Sequence, residues 1–550
     1  MSCGPACFPR ILSEPNVCPL PQTQTQVNDS DKAALPQLSS RGKAHAANVT
    51  PFWKVFDDVL RNVYSPETNT TGVINMGIAN NSLMEKELLE YFSHLPLDPT
   101  DLTYGTSLFG STRLFGALSH HFNRPTFSPV TPVLEEHILT GPGCGPLLDQ
   151  LFEHLAEPGQ AALVAAPYYN GFDADLMTRA GVRCIPVYSP YGDGSEAESF
   201  DGETALRGFE EALAAAPAGS VSSLILCNPH NPLGRCYTRS ALLAYGRFAQ
   251  QHNLHLVVDE IYARSTFATS DDPHPVPFTS ALSIDWQREA SGCHPSRVHI
   301  LTSASKDFGL NGFRLGVFIS QHNPQLVAAM KSTSKLYMVS SPADALWSRL
   351  LRDETLYAWF VEENKQRLSA AYEVAKEWCM KHGIPYTHSN AGHFLVANLD
   401  RFMPITRPEG CTAEQSQVAL QEAEALLWSR VLQHGVCVTP GSNYWHPTPG
   451  IFRLTFAMPE QTLREGLRRF ELALGLGEGR SNVEQGVVAV AADAAAAVVE
   501  ACSSAAVMQT HAGQGVPSAC HGIYIALCGG QQKDKSLVSG NGTARLGQAC

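Results

Sequence analysis

The chain has 550 residues, and at roughly 100–200 residues per domain it has room for several folded units around a large core. Hydrophobic residues make up 44% and charged residues 17%, which excludes disorder for the chain as a whole and leaves it only to biased segments. Lys and Arg number 39 against 52 Asp and Glu, a formal charge of −13, the wrong sign for phosphate backbones or anionic lipid. We therefore expect neither nucleic acid nor a membrane as partner.

In chain order, residues 1–50 come first, with Pro at 5, 9, 15, 19 and 21 and no apolar run leading to a small-residue cleavage site. They read as a disordered extension and not as a signal peptide. Apolar runs then alternate with amphipathic stretches, the pattern of βαβ units and a mostly parallel sheet. Ala161–Ala165, Ser223–Cys227, Leu254–Val258 and Val298–Leu301 are predicted strands, and each runs directly into a polar loop. Helices are predicted over Gly145–Leu155, Ala205–Ala215 and Ser240–His252, with a long helical region over Asn323–His382. Ser270–Ser296, with four prolines, reads as a surface insertion. From about Gly477 the composition turns to Ala, Gly, Ser and Gln, which predicts a disordered tail. Val487–Met508 is apolar but contains Asp493 and Glu500, so it is rejected as a membrane span.

In open α/β sheets ligands bind beyond the carboxyl ends of the strands, so the four polar loops should converge. After the last strand comes Ser303-Ala304-Ser305-Lys306-Asp307-Phe308-Gly309-Leu310-Asn311-Gly312-Phe313-Arg314. A lysine at a strand end is partly desolvated and can lose its proton, as Schiff-base chemistry requires. Ser303 and Arg314 flank it and suit a phosphate. Taken singly, a solvated lysine on a Gly-containing turn fits as well. Asn228-Pro229-His230-Asn231-Pro232-Leu233-Gly234 and Asp259-Glu260-Ile261-Tyr262 follow two other strands. A carboxylate, an amide and a phenol are the groups that tune a pyridoxal ring, while turn punctuation and an N-cap are their ordinary uses. Fifteen cysteines without CxxC pairs suit reduced thiols in a cytoplasmic enzyme, and the histidines show no metal-ligand spacing. The glycine-rich loop Thr140-Gly141-Pro142-Gly143-Cys144-Gly145 lacks a Gly-Lys-Ser/Thr ending, which disfavours a nucleotide enzyme.

Together with Tyr168-Tyr169-Asn170-Gly171-Phe172-Asp173, these motifs closely resemble, in order and spacing, the class I/II aminotransferase family, the fold-type-I group of pyridoxal-phosphate enzymes, over roughly Val73 to Leu474. Within it the 1-aminocyclopropane-1-carboxylate synthase-like branch looks nearest. The resemblance implies an α/β fold: a large domain with a mixed, mostly parallel seven-stranded sheet over 101–330, and a smaller α+β domain over 331–475 joined by 51–100. It implies pyridoxal 5'-phosphate as cofactor, an amino-acid-type small molecule as substrate and a homodimer. Lys306 resembles the Schiff-base lysine, Asp259 the partner of the pyridine nitrogen, Tyr262 and Asn231 the pair on the ring oxygen, and Tyr169 the stacking aromatic. Ser303 and Arg314 match phosphate ligands, Gly143 and Cys144 stand in the phosphate loop, and Arg453 matches the arginine that binds the substrate carboxylate, beside Asn231. Lys306, Asp259 and Tyr262 are the expected catalytic residues, with no metal.

Three departures bear on the reaction. Leu108-Phe109-Gly110 stands where the synthase branch has Tyr-His-Gly, Asn170 stands where Pro commonly follows the stacking tyrosine, and Cys144 replaces a hydroxyl residue. Tyr104 either substitutes for the missing tyrosine or belongs to the core. The expected activity is that of an aminotransferase-family enzyme of secondary-metabolite biosynthesis acting at Cα. A C–S β-lyase on the same scaffold is the alternative, cyclopropane synthesis ranks below it, and a ligand-sensing domain is disfavoured because Lys306 is retained.

Overall fold

The computed structural model describes residues 37–47, 51–188, 200, 202–404 and 413–477. The tail beyond 477, and the N-terminal extension apart from 37–47, lie outside the described residues. The chain divides into two compact units, Met1–Val49 and Thr50–Cys550. The described part of the first contains the helix Ser40–Ala47. All that follows concerns the second.

Its strands in chain order are β1 (Ile74–Asn75), β2 (Ile138–Gly141), β3 (Ala161–Ala165), β4 (Arg183–Val187), β5 (Val221–Cys227), β6 (His255–Asp259), β7 (Val298–Ser303), β8 (Gly316–Ile319), β9 (Tyr386–Thr387), β10 (Phe394–Asn398), β11 (Val436–Cys437), β12 (Thr439–Pro440) and β13 (Ile451–Thr455). Strands β2 to β8 form a seven-stranded sheet in the order β2-β8-β7-β6-β5-β3-β4, in which β8 alone runs against the rest. This is the mixed, mostly parallel sheet expected from the sequence. The central strands are apolar along their whole length because both faces are covered. Leu224, Leu226, Leu256 and Val258 face one core, with Phe209, Tyr245 and Phe248 of the helices Gly202–Ala215 and Arg239–Gln251. Ile225, Cys227, Val257 and Leu301 alternate to the other face, against Leu147, Leu151 and Phe152 of the helix Cys144–Leu155.

The ladder pairs Cys227 with Asp259, Asp259 with Leu301, Ser303 with Gly316, and Gly316 with Gly141. Five strands thus deliver their functional ends to one edge. Strands β9, β10, β12 and β13 form a four-stranded antiparallel sheet, and β1 pairs in parallel with β11. Val55, Val59, Ile74 and Met76 share one core there with Leu368, Trp378, Leu395, Phe452 and Phe470, so residues near 55–76 pack with the stretch from 368 to 470.

Two sequence expectations change in detail. The long helical region over 323–382 is broken into Pro324–Thr333, Ser341–Arg352 and Glu354–Lys381, with Pro342 at the start of the second and Asp353 capping the third through the Leu356 N–H at 2.9 Å. The stretch 270–296 is no mere surface insertion, since Ala281, Leu282, Ile284, Trp286 and Cys293 lie in the core. It is tied there by the buried Glu260, whose carboxyl oxygens accept from Ser280 Oγ at 2.7 Å and Ala281 N at 2.6 Å. No helix among the described residues is long and apolar enough to cross a membrane.

Replacing Glu260 with Ala leaves both donors buried without a partner, and should lower stability by about 1–3 kcal/mol, read as a shift in the denaturation midpoint. An unchanged midpoint would show that the 280s loop is not fastened through this residue.

Candidate active site

Lys306 follows β7, partly buried, and its Nζ donates to the Ala79 carbonyl at 2.8 Å. Burial brings its pKa down to about 8, and the nearby Arg453 charge pushes the same way. Asp259 closes β6 at 5% exposure, with Oδ1 accepting from the Ile261 N–H at 3.2 Å. Burial pushes its carboxyl up to about 7, opposed by that hydrogen bond and by the positive charge of Lys306.

Beside them lies a concave stretch of backbone. Gly143 adopts φ 112°, which L side chains rarely reach, and immediately precedes the helix Cys144–Leu155, whose N-terminus has no side-chain cap. Arg314, itself left-handed at φ 51°, reaches back so that Nη2 donates to Pro142 O at 3.0 Å and Nη1 to Asn311 O at 2.8 Å. A methyl group at Gly143 would collide with Arg314 Nη2, and one at Gly316 would lie 2.5 Å from the Gly143 carbonyl carbon. Ser303 Oγ accepts from Ser305 N at 3.0 Å. The Cys144 thiol donates to Thr302 O at 3.2 Å, and burial raises its pKa well above the usual range. Cys144 therefore offers a backbone N–H and no thiolate.

On the opposite side, Arg453 in β13 donates through Nη1 to Asn231 Oδ1 at 2.8 Å and through Nη2 to the Gly77 carbonyl. Arg453 is 4% exposed, and its guanidinium packs against the rings of Phe394 and Tyr444, with each centroid 4.7 Å away. Its Nε has no partner among the described residues. Tyr262 is buried, edge-on to His393 and Phe394 with centroids at 5.2 and 5.5 Å, and burial raises its phenol pKa well above the ordinary value. Tyr169 is 37% exposed and stands edge-on to Phe172 at 5.3 Å.

The ten residues singled out from the sequence come together. Lys306 senses the charges of Arg453, Arg314 and Asp259 and the Cys144 thiol; Tyr262 and Tyr169 both sense Asp259 and Arg453; Asn231 and Ser303 join through Arg453 and Cys144. Tyr104 is 75% exposed, so the core alternative for it fails. Phe109 gives its carbonyl to Thr140 Oγ1 at 2.7 Å, which anchors the departing segment beside the glycine loop. The sequence reading missed His393, Tyr444 and the Ala79 and Gly77 carbonyls. A lone histidine after a glycine carries little signal, and a carbonyl carries none.

The set fits pyridoxal 5'-phosphate on structural grounds. An uncapped helix N-terminus, a glycine that admits no methyl group and an arginine form an anion cradle. A buried carboxylate lies near enough to an amine of lowered pKa for each to feel the other's charge, and the two are the groups that ring binding and covalent attachment demand. Among the described residues no group of three or more His, Cys, Asp or Glu could hold a metal ion. Gly143→Ala should weaken pyridoxal phosphate binding at least about tenfold by displacing Arg314, as read by fluorescence titration, while the melting temperature stays within a few degrees. Affinity within twofold of the parent protein would place the phosphate elsewhere.

Comparison with known proteins agrees with this geometry. The family model described as aminotransferase class I and II matches residues 73–470. The Aspergillus fumigatus protein named "Probable aminotransferase gliI" is 32% identical over 407 residues, covering 73% of this chain and 89% of the relative. The 1-aminocyclopropane-1-carboxylate synthase 2 of Oryza sativa subsp. japonica is 32% identical over 456 residues, covering 79% and 87%. Among solved structures, an aspartate aminotransferase single mutant from Thermus thermophilus superposes with a TM-score of 0.57 at 20% identity, covering 80% of this chain and all of that one, a likeness of fold. With a lysine, a carboxylate and an anion cradle on one sheet edge inside the matched span, the chain belongs to the class I and II aminotransferases, a pyridoxal-phosphate-dependent family.

Proposed function

We propose that this protein transfers the amino group of an α-amino acid, or of a derivative that keeps a free carboxylate, in secondary-metabolite biosynthesis. The observation that carries the reading is Lys306, held near pKa 8 at the strand edge between Asp259 and Arg453. Bound pyridoxal phosphate supplies the electron sink that makes a Cα proton acidic. Gly143, the Cys144 N–H, Ser303 and Arg314 would hold its phosphate; Asp259 would hold the pyridine N–H, Tyr262 and Asn231 the ring oxygen, and Tyr169 the ring face.

The chain's own groups supply the rest. Arg453 presents Nη1 and Nη2 from a buried position, and a substrate carboxylate would take over donors now shared with Asn231 and Gly77. That grip sets which bond at Cα faces the lysine. Lys306 Nζ, neutral for much of the time near pH 8, would accept the Cα proton and, with pyridoxal phosphate bound, would carry it to the carbon that keeps the amino nitrogen. Burial of Tyr262 and Asp259 excludes water that would compete for the proton.

The relatives' printed names support an aminotransferase in the first case and a cyclopropane synthase in the second. Replacement of the synthase-type tyrosine by Leu108-Phe109 weighs against ring closure here. Expulsion of a thiolate from Cβ begins with the same proton removal, so C–S lysis remains the second reading. We further read the enzyme as a cytoplasmic homodimer. Seven cysteines among the described residues are all free, and Leu102, Tyr104, Leu108, Phe109 and Leu336 expose large apolar side chains.

Three measurements test this. With amino acids and cysteine conjugates, glutamate that forms only when 2-oxoglutarate is added establishes transamination; ammonia, pyruvate and thiol without keto acid would replace it by the lyase. Lys306→Ala should abolish the absorption band of the lysine-linked cofactor, and a variant that still yields a borohydride-reducible lysine adduct would show that the attachment site is elsewhere. Because burial lowers the Lys306 pKa from 10.5 to about 8, the neutral amine prevails above about pH 8 and not only above 10.5. Capture of pyridoxal phosphate by cofactor-free enzyme should therefore speed up as pH rises through about 8 and then level off; a rate still climbing steeply at pH 10 would contradict it.

A further inference from the structure

His393 is completely buried at the start of β10, behind the site, and none of the roles above uses it. Its ring stands edge-on to Tyr262, with centroids 5.2 Å apart at 88°. Its Nε2 lies 3.2 Å from Ser265 Oγ, and Ser265 Oγ donates to Asp307 Oδ1 at 2.8 Å. Asp307 follows Lys306 directly in the chain, and its second oxygen accepts from Arg264 N at 3.0 Å. The strap is closed by backbone bonds from Gly392 N to Ser265 O at 2.8 Å and from Phe456 N to the His393 carbonyl at 2.9 Å.

With the Ser265 hydroxyl donating to Asp307, its Oγ can accept from the imidazole Nε2–H, which joins the ring to the residue after Lys306. Nδ1 has no hydrogen-bond partner among the described residues. The groups that face the ring are Lys306 and Arg453 through their charges, Tyr262 edge-on, the Ala79 carbonyl that also receives Lys306, and Asp307 through Ser265. Burial disfavours a charged ring, and a further cation beside Lys306 and Arg453 would be repelled, so the imidazole pKa falls to about 3. Across the working range the ring is a fixed neutral dipole and does not titrate.

We propose that His393 is a positioning residue for Lys306: through the Ser265–Asp307 strap and its contact with Tyr262 it holds the lysine and the phenol in register, and its dipole is part of the polar surroundings of the Lys306 amine. The proposal rests on the pyridoxal-phosphate reading above. A hydrocarbon in its place would break the link to Ser265 and leave the amine in a less polar wall, which disfavours the charged form.

The test uses the cofactor-loaded enzyme and follows the pH titration of its visible absorption band, with kcat, KM and the melting temperature measured alongside. His393→Leu should lower the midpoint of the band titration by about half to one pH unit. It should also reduce kcat about tenfold with KM changed less than about twofold, because positioning and not substrate binding is lost. His393→Gln, whose amide reaches the Nε2 position, should restore most of both. A Leu variant with parental midpoint and kcat, whatever its melting temperature, would overturn the proposal and leave His393 as packing. Should the Leu variant fail to fold, Ser265→Ala decides: a lowered kcat with a midpoint moved in the same direction supports the strap, and unchanged values overturn it. Parent protein that forms no visible band with pyridoxal phosphate would instead overturn the functional reading, and this proposal with it.

Discussion

Asp259 ends β6 with a single backbone N–H as its hydrogen-bond donor, walled by β5 and β7, and its carboxyl is raised by burial. A carboxylate in that place is stable only when positive charge lies near, and the site supplies it: Lys306, Arg453 and Arg314 belong to one electrostatic cluster with it. Arg453 and Arg314 thus set positive charge beside Lys306 in a chain whose formal charge is −13. A phosphate and a substrate carboxylate are the groups that would balance it, and low-dielectric walls focus the field toward them.

The same cations conflict with one another, and the conflict is what makes the chemistry work. Among the crowded cations it is the lysine amine that can give up its proton, driven first by burial and then by the Arg453 charge. Geometry holds the crowd together. Arg453 is braced by the Asn231 amide and two aromatic rings, and Arg314 by the Pro142 and Asn311 carbonyls.

The wall that carries Tyr444 is fastened to the loop after β3 by a separate, half-buried network. Tyr168 OH and Trp445 Nε1 each donate to Asp173 at 2.8 Å, and Tyr168 N donates to Tyr444 O at 2.8 Å. One carboxylate thus links the loop that presents Tyr169 to the loop beneath Arg453, and the two halves of the cleft keep their separation.

Much of this was legible in the residues alone. Buried parallel strands are continuous apolar runs, and a polar loop must follow each at the sheet edge, so β3, β5, β6 and β7 and the chemistry at their ends could be read locally from Ala161, Ser223, Leu254 and Val298 onward. The family resemblance singled out ten residues from motif order and spacing, and the fold brings them together around Lys306. The 280s loop was misjudged because its prolines dominate local reading, while its burial depends on Glu260, distant in the register of the fold. His393 and the Ala79 and Gly77 carbonyls were invisible for a related reason. The sequence determined which groups are present and which strands carry them; only the tertiary structure decided which groups meet, because hydrogen bonds and charge coupling depend on distances that chain spacing does not encode.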